Sequence, residues 1–154
     1  MLKIYNIKDR EEYIREVAIL TQLEWGKDNL SKEEFKNKVE RKIQKIKNSF
    51  ENKYYCKLIL LDDSKLAGFI SIFPTDGEER KDLSPWYATM YVKKEFRGKG
   101  YSKILNYAIL EEARKRKIKR LYLKTDLENY YEKFGAKFLE VLSNGEKLYY
   151  IDLK

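Results

Sequence analysis

The sequence predicts a mixed α/β fold: a central, mostly antiparallel sheet of six to seven strands flanked by about four helices, in the order β-α-α-β-β-β-α-β-α-β-β. Three observations carry this. Apolar residues recur every three or four positions over Ser31–Phe50 and again over Tyr101–Lys117, as on amphipathic helices. Short runs rich in aromatic and β-branched residues are separated by the turn sequences Asp62-Asp63-Ser64-Lys65 and Asn144-Gly145. One strand-helix-strand unit in the middle implies a parallel pair, whereas the hairpins imply antiparallel pairs.

Leu2 to Asn6 forms the first strand, and Asp9 is placed to cap a helix from Arg10 to about Trp25 with Ile14, Val17, Ala18 and Thr21 on one side. Gly26 ends it. Ser31 and Glu34 have capping-box spacing, and Phe35, Val39, Ile43, Ile46 and Phe50 then mark the inner face of a second helix. Tyr54–Leu61 and Leu66–Phe73 read as a hairpin. Pro74–Pro85 is a twelve-residue polar loop, a length often tied to function. Trp86–Val92 is the fourth strand. A helix from about Tyr101 to Lys117 follows, with Ile104, Leu105, Ala108 and Ile109 inward. Leu121–Thr125 is a strand, Asn129–Phe134 one or two helical turns stopped by Gly135, and Ala136–Leu142 with Lys147–Leu153 a final hairpin.

The length, 154 residues, suits one domain, residues 1–154, with a full core. The best apolar run, Leu58–Leu61, is far too short for a bilayer span, and the first residues carry no signal-peptide apolar region. With a single cysteine, Cys56, no internal disulfide forms, and the expectation is a reducing, cytoplasmic setting. The absence of histidine removes histidine triads, histidine-ligated metals and histidine bases. No metal is expected. The net charge of +8 attracts polyanions without choosing among nucleic acid, acidic membrane and a phosphorylated cofactor; much of it sits in Arg114–Lys117, Lys119 and Arg120, where a solvated helix end explains it as well.

Residues 95–103 read Glu-Phe-Arg-Gly-Lys-Gly-Tyr-Ser-Lys, at a strand-to-helix turn. Glycines there let the backbone approach a ligand, and the new helix aims unpaired N–H groups and its positive end at the same spot, an arrangement suited to phosphate. The chain has no P-loop pattern, and Gly-x-Gly-x-x-Gly fails because Lys103 stands at the third position. Alone, Gly98-Lys99-Gly100 is equally a ligand-free tight turn.

In context the segment is more specific. Trp86–Val92, four residues, Arg97-Gly-Lys-Gly-Tyr-Ser102 and then Ile104-Leu105 resembles the acetyl-CoA motif of the GNAT superfamily of N-acetyltransferases, whose Gln/Arg-x-x-Gly-x-Gly/Ala signature falls on Arg97, Gly100 and Ser102. Asn129-Tyr-Tyr-Glu-Lys-Phe-Gly135 is similar to that family's late Asn with Phe-Tyr-Glu-Lys-x-Gly-Phe. The element order agrees as well; the first forty residues and the Pro74–Pro85 loop match in outline. Two positions depart: Ser102 stands for Gly or Ala, small enough to spare a pyrophosphate, and Ala136 stands for Phe, with Phe138 nearby.

The resemblance implies a fold, an activity and a set of roles. Backbone N–H groups of Gly98, Lys99, Gly100, Tyr101, Ser102 and Lys103 would cradle the pyrophosphate of acetyl-CoA, beside Arg97. The main chain of Met90, Tyr91 and Val92 would pair with the pantetheine arm where the fourth and fifth strands splay, a Val92 amide serving the oxyanion. Asn129 would bond near the pantetheine, and Lys99, Lys103 or Lys133 would meet the 3′-phosphate. Tyr131 occupies the general-acid position, protonating the departing thiolate; Tyr130 takes an apolar position. Glu24, Asp82 and Asp126 are conceivable bases, none assigned. The acceptor amine, of a small molecule or peptide, would lie between the second helix and the long loop, where Glu24, Trp25 and the acidic Asp76–Glu79 run point. Polyamines and aminoglycosides are cationic candidates. Two other readings stay open: an acyl-CoA-binding sensor without turnover, and a basic nucleic-acid-binding module, which the tyrosine pattern disfavours. No membrane partner is expected, and a monomer or homodimer fits equally.

Overall fold

The computed structural model describes residues 1–153. Its elements are β1 (Leu2–Asn6), α1 (Ile14–Trp25), α2 (Lys32–Asn48), β2 (Cys56–Asp62), β3 (Lys65–Phe73), β4 (Trp86–Val92), α3 (Tyr101–Lys115), β5 (Arg120–Thr125), β6 (Ala136–Val141) and β7 (Lys147–Asp152), with 3₁₀ turns at Ile7–Asp9, Glu11–Tyr13, Lys94–Phe96 and Tyr131–Phe134. Seven strands form one sheet in the order β1-β2-β3-β4-β5-β7-β6. Every neighbouring pair is antiparallel except β4 with β5.

The sheet is packed on both faces, and the period-two alternation of β2 shows why. Leu58 and Leu60 point to the α3 side, where they join Leu105 and Ile109; Ile59 and Leu61 point to the α1–α2 side, where they join Val17, Val39 and Ile43. A strand buried on both faces reads as a continuous apolar run, which Leu58–Leu61 is. Each fully buried leucine or isoleucine contributes about 1.5–3 kcal/mol relative to exposure. The helices are started by local chemistry. Ser31 Oγ accepts from the Glu34 N–H at 3.1 Å while the Glu34 carboxylate accepts from the Ser31 N–H at 3.3 Å, so the capping box is complete.

Two local expectations are corrected. The first helix does not begin at Arg10 under an Asp9 cap. Ile7 is fully buried, and two 3₁₀ turns carry the chain from that anchor to Ile14, broken at Arg10 by an extended φ of −142°. Asn6 caps the first turn instead, its side chain accepting from the Lys8 N–H at 3.1 Å. The expected fourth helix is a four-residue 3₁₀ turn, Tyr131–Phe134, leaving three α-helices. The last hairpin forms as expected and closes through Ser143-Asn144-Gly145. The Leu142 N–H donates to the Glu146 carbonyl and the Gly145 N–H to the Leu142 carbonyl, and Gly145 has φ +90°, the three-residue loop with a left-handed final residue.

Candidate active site

The centre of the sheet is open by construction. β4 and β5 register at one position only, Trp86 opposite Tyr122, and diverge beyond it. On its other side β4 carries a bulge: Phe69 pairs with Tyr91 but Ser71 with Ala88, so β4 holds one residue more than β3. Thr89 sits in this bulge with φ +48°. Past Trp86 the main chain of β4 therefore lacks a registered β5 partner, and Met90, Tyr91 and Val92 border a cleft of 350 Å³.

The floor of that cleft is the turn into α3. Gly98 and Gly100 have φ +80° and +79°, a conformation that favours glycine, and a Cβ at either would meet nothing within 4 Å. Backbone conformation, not crowding, is what requires glycine. The N–H groups of Gly98, Lys99, Gly100, Tyr101, Ser102 and Lys103 have no acceptor among the described residues; the first helical bond here is from the Ile104 N–H to the Gly100 carbonyl. A run of unpaired donors at a helix N-terminus suits an anion. Arg97 flanks it, its Nε donating to the Val92 carbonyl at 2.9 Å and its guanidinium carbon 5.7 Å from the Tyr91 ring.

Other candidates distribute unevenly. Met90, Tyr91, Val92, Arg97, Gly98, Gly100, Tyr101 and Ser102 line the cleft. The Tyr101 side chain turns away from it, buried, donating to Asp62 Oδ2 at 2.6 Å. Lys99, Lys103 and Lys133 are exposed, Lys99 over the Phe96 ring and Lys133 over the Tyr130 ring. Asn129 is exposed with φ +59° and lies outside the cleft lining. Tyr131 is buried behind that wall, 9% exposed, whereas Tyr130 forms part of it.

Behind the wall runs a polar chain that the sequence did not reveal. The Tyr87 hydroxyl donates to Asn106 Oδ1; Asn106 Nδ2 donates to the Ser102 carbonyl at 2.8 Å; the Tyr130 hydroxyl donates to Ser102 Oγ at 3.2 Å. Tyr131 packs edge-on against both Tyr130 and Tyr87, with centroids 4.8 and 5.5 Å away. Burial, and next the neighbouring Tyr130, push the Tyr131 phenol above its ordinary pKa, against a smaller opposite pull from Tyr87. It stays protonated at neutral pH. Asn106 is fully buried on α3, a polar residue on an otherwise apolar face and the one sequence signal for this chain.

A second cavity, of 310 Å³, lies between α1, α2 and the β2–β3–β4 face. Trp25, Pro74 and Thr75 line it, as do Lys42, Lys45, Lys57 and Tyr55. The two lie side by side along the chain at the bulge, where Thr89 borders the cavity and Met90 the cleft. The acidic lip expected here is absent from its lining. The Asp76 carbonyl accepts from Lys124 Nζ, Glu78 pairs with Lys81, and Glu79 accepts from Ser143 Oγ at 2.6 Å. Of the conceivable bases, only Glu24 borders the cleft. Asp82 takes two bonds from Arg80, at 3.0 Å each, which hold its carboxyl below the usual range, and Asp126 lies exposed near Lys147.

The sequence profile described as the Acetyltransferase (GNAT) family matches residues 14–136. The chain belongs to this family. This GNAT protein is thus an acyltransferase. A probable spermine N(1)-acetyltransferase from Bacillus subtilis subsp. natto (strain BEST195) is 30% identical over 112 residues, covering 67% of this chain and 74% of that protein. Among solved structures, an N-acetyltransferase from Staphylococcus aureus Mu50 aligns with a TM-score of 0.75 at 18% identity, over 100% of this chain and 99% of the other. YncA, described as a putative acetyltransferase from Salmonella typhimurium with its cofactor acetyl-CoA, aligns at 0.71 and 13% identity, over 99% and 94%. An aminoglycoside 6′-N-acetyltransferase complexed with coenzyme A aligns at 0.71 and 16% identity, over 99% and 96%. At such identities the structures show a shared fold. Among the described residues, no helix is long and apolar enough to cross a membrane, and no cluster of potential metal ligands forms.

Proposed function

We propose that this acyltransferase, acting as a single domain, moves an acetyl group from acetyl-CoA to a primary amine of a small molecule or peptide, by direct attack and with Tyr131 as general acid. One observation carries the reading: the unpaired N–H run of Gly98–Lys103, at the mouth of the gap between β4 and β5. It matches a diphosphate below and an extended arm above. The relatives agree, since two proteins of this fold are described with coenzyme A or acetyl-CoA.

Acetyl-CoA supplies an activated acyl thioester. The chain's own residues do the rest. The Gly98–Lys103 amides and the α3 N-terminus bind negative charge, with Lys99 and Lys103 available to the 3′-phosphate. Ser102 Oγ accepts from Tyr130 and keeps its own hydrogen for a phosphate oxygen. Along the flank that β5 leaves uncovered, the main chain of Met90, Tyr91 and Val92 orients the arm, and its amides face developing negative charge. The buried Tyr131 phenol holds the proton that the leaving sulfur needs.

Calorimetry with acetyl-CoA tests the cradle. One site is expected, and Gly100→Val should weaken it at least tenfold while the left-handed strain costs the fold about 1–2 kcal/mol. Unchanged affinity in the variant discredits the turn. Release of free thiol across a panel of amines then separates an enzyme from a silent acyl-CoA sensor.

A further inference from the structure

The cavity between α1, α2 and β2–β4 contains two buried polar groups that the protein leaves without their complement. Lys57 is 3% exposed. Its ammonium donates to Ser71 Oγ at 2.7 Å and forms no ion pair among the described residues. Tyr55 is 8% exposed, and its hydroxyl has no hydrogen-bond partner among the described residues. Both line the same cavity, two positions apart at the start of β2, and both face Phe73. The Tyr55 ring stacks on it at 5.7 Å and 12°, and Lys57 Nζ lies 5.2 Å from its centroid. A buried cation ordinarily has a counter-charge, and a buried phenol ordinarily has a partner. The ammonium donates and the phenol can donate, so an acceptor bearing negative charge would complement both.

The rest of the lining has the same sign. Lys42 and Lys45 reach the cavity from α2, and no Asp or Glu lines it. Trp25, Ile46, Phe73 and Pro74 supply an apolar body. Position narrows the ligand further. Ser71 Oγ, which receives the Lys57 bond, also accepts from Thr89 Oγ1 at 2.8 Å, and Thr89 sits in the β4 bulge beside the cleft. Two hydrogen bonds therefore link the lysine to Thr89, whose chain neighbour Met90 borders the cleft. A molecule whose anionic group rests on Lys57 and Tyr55 would extend its amine toward the bulge.

Resting on the acetyl-transfer reading above, we propose that the acceptor is a compact amine of amino-acid type, with an apolar or aromatic body and an anionic group held by Lys57 and Tyr55. A polycation such as spermine fits this cavity poorly, because Lys42 and Lys45, and Lys57 whenever it is protonated, would oppose it. Burial lowers the Lys57 ammonium to about 7, and the charged or titratable groups facing it are Cys56 and Tyr55 beside it and Lys42 and Lys45 on α2. An arriving anion therefore draws a proton onto Lys57.

The test measures binding without turnover, by calorimetry in the presence of CoA. The probes are a panel of free L-amino acids with apolar side chains, their carboxamides, the matching aminophosphonates, and spermine. At least one amino acid should bind tenfold more tightly than its amide, with proton uptake at pH 8 seen by comparing buffers of different ionisation enthalpy. A stronger phosphonate identifies the anion as dianionic within the same site. Lys57→Met and Tyr55→Phe should each reduce the preference for the anion about tenfold and leave acetyl-CoA affinity unchanged. If Lys57→Met fails to fold, Tyr55→Phe and the wild-type panel decide. Spermine outbinding every anionic probe, or no anion outbinding its amide, overturns the proposal while leaving acetyl transfer standing. Failure of acetyl-CoA itself to bind overturns the reading beneath it instead.

Discussion

The ring of Tyr131 stands edge-on to that of Tyr87, centroids 5.5 Å apart and planes at 77°, with both residues buried. The two come from opposite sides of the sheet gap, Tyr87 on β4 and Tyr131 on the 3₁₀ turn before β6. Tyr131→Phe keeps the edge-on contact and removes only the hydroxyl. Thiol release should fall about 10²-fold with acetyl-CoA affinity unchanged. Because burial raises this phenol above its ordinary value of 10.0, its proton persists as pH climbs, and the alkaline limb of the wild-type rate profile should lie above pH 10. A limb due to this group between 7 and 10, or an unaltered rate in the variant, removes Tyr131 from the chemistry.

Asn106 should prove structural in its own right. Asn106→Ala strands the buried Tyr87 hydroxyl, and an unpaired buried polar group costs about 1–3 kcal/mol. Tyr87→Phe in the same background should return much of that loss. Urea denaturation of the four proteins in this cycle measures the coupling, and strict additivity would show that the bond contributes nothing.

How much of this was legible beforehand depended on distance along the chain. The capping box at Ser31 and Glu34 and the left-handed glycines at 98 and 100 are decided within a few residues, so their residue types announce them. Ile7 shows the opposite case: the helix pattern begins at Arg10, yet burial of one side chain against α1 and β2 replaces the first helical turns with 3₁₀ geometry. Lys57 was equally hidden. Within Cys56–Asp62 it is a lone charge ahead of a continuous apolar run, and only the layer of α1 and α2 above it removes the water. The acidic run at Asp76–Glu79 misled for the same reason, since its partners Lys124 and Ser143 are remote in sequence.

Lys57 predicts a pH signature of stability. Its value is near 7 folded and 10.5 unfolded, so between those limits the unfolded chain binds the extra proton and stability rises with pH. Lys57→Met lacks this contribution. Its melting temperature should exceed that of the wild type most at pH 7 and below, and the gap should close as pH approaches 10.5. A gap independent of pH would mean that the lysine is hydrated.

Cys56 is 1% exposed, and burial pushes its thiol up to about 11. Thiolate is the reactive form, so iodoacetamide at pH 8 should label the native protein slowly and the urea-unfolded protein fast. Labelling by mass spectrometry reads this directly; rapid native labelling would mean that β2 opens readily.

The helical start at Ser31 should behave as an independent unit of stability. Ser31→Ala removes one side of the capping box and should cost about 1 kcal/mol in urea denaturation, with binding of acetyl-CoA unaffected. A loss well above that would mean the cap also fixes the turn ahead of α2.

β4 is interior by its order in the sheet, yet beyond Trp86 one of its flanks behaves like a rim. Such a flank would ordinarily recruit a stray polypeptide and seed aggregates. The extra residue at Thr89 spoils the even spacing of donors and acceptors that an intruding peptide needs, since a peptide repeats every 3.2–3.4 Å. A flank made irregular in this way pairs poorly with a regular peptide, while an elongated guest that is not built from amino acids is under no obligation to keep that repeat.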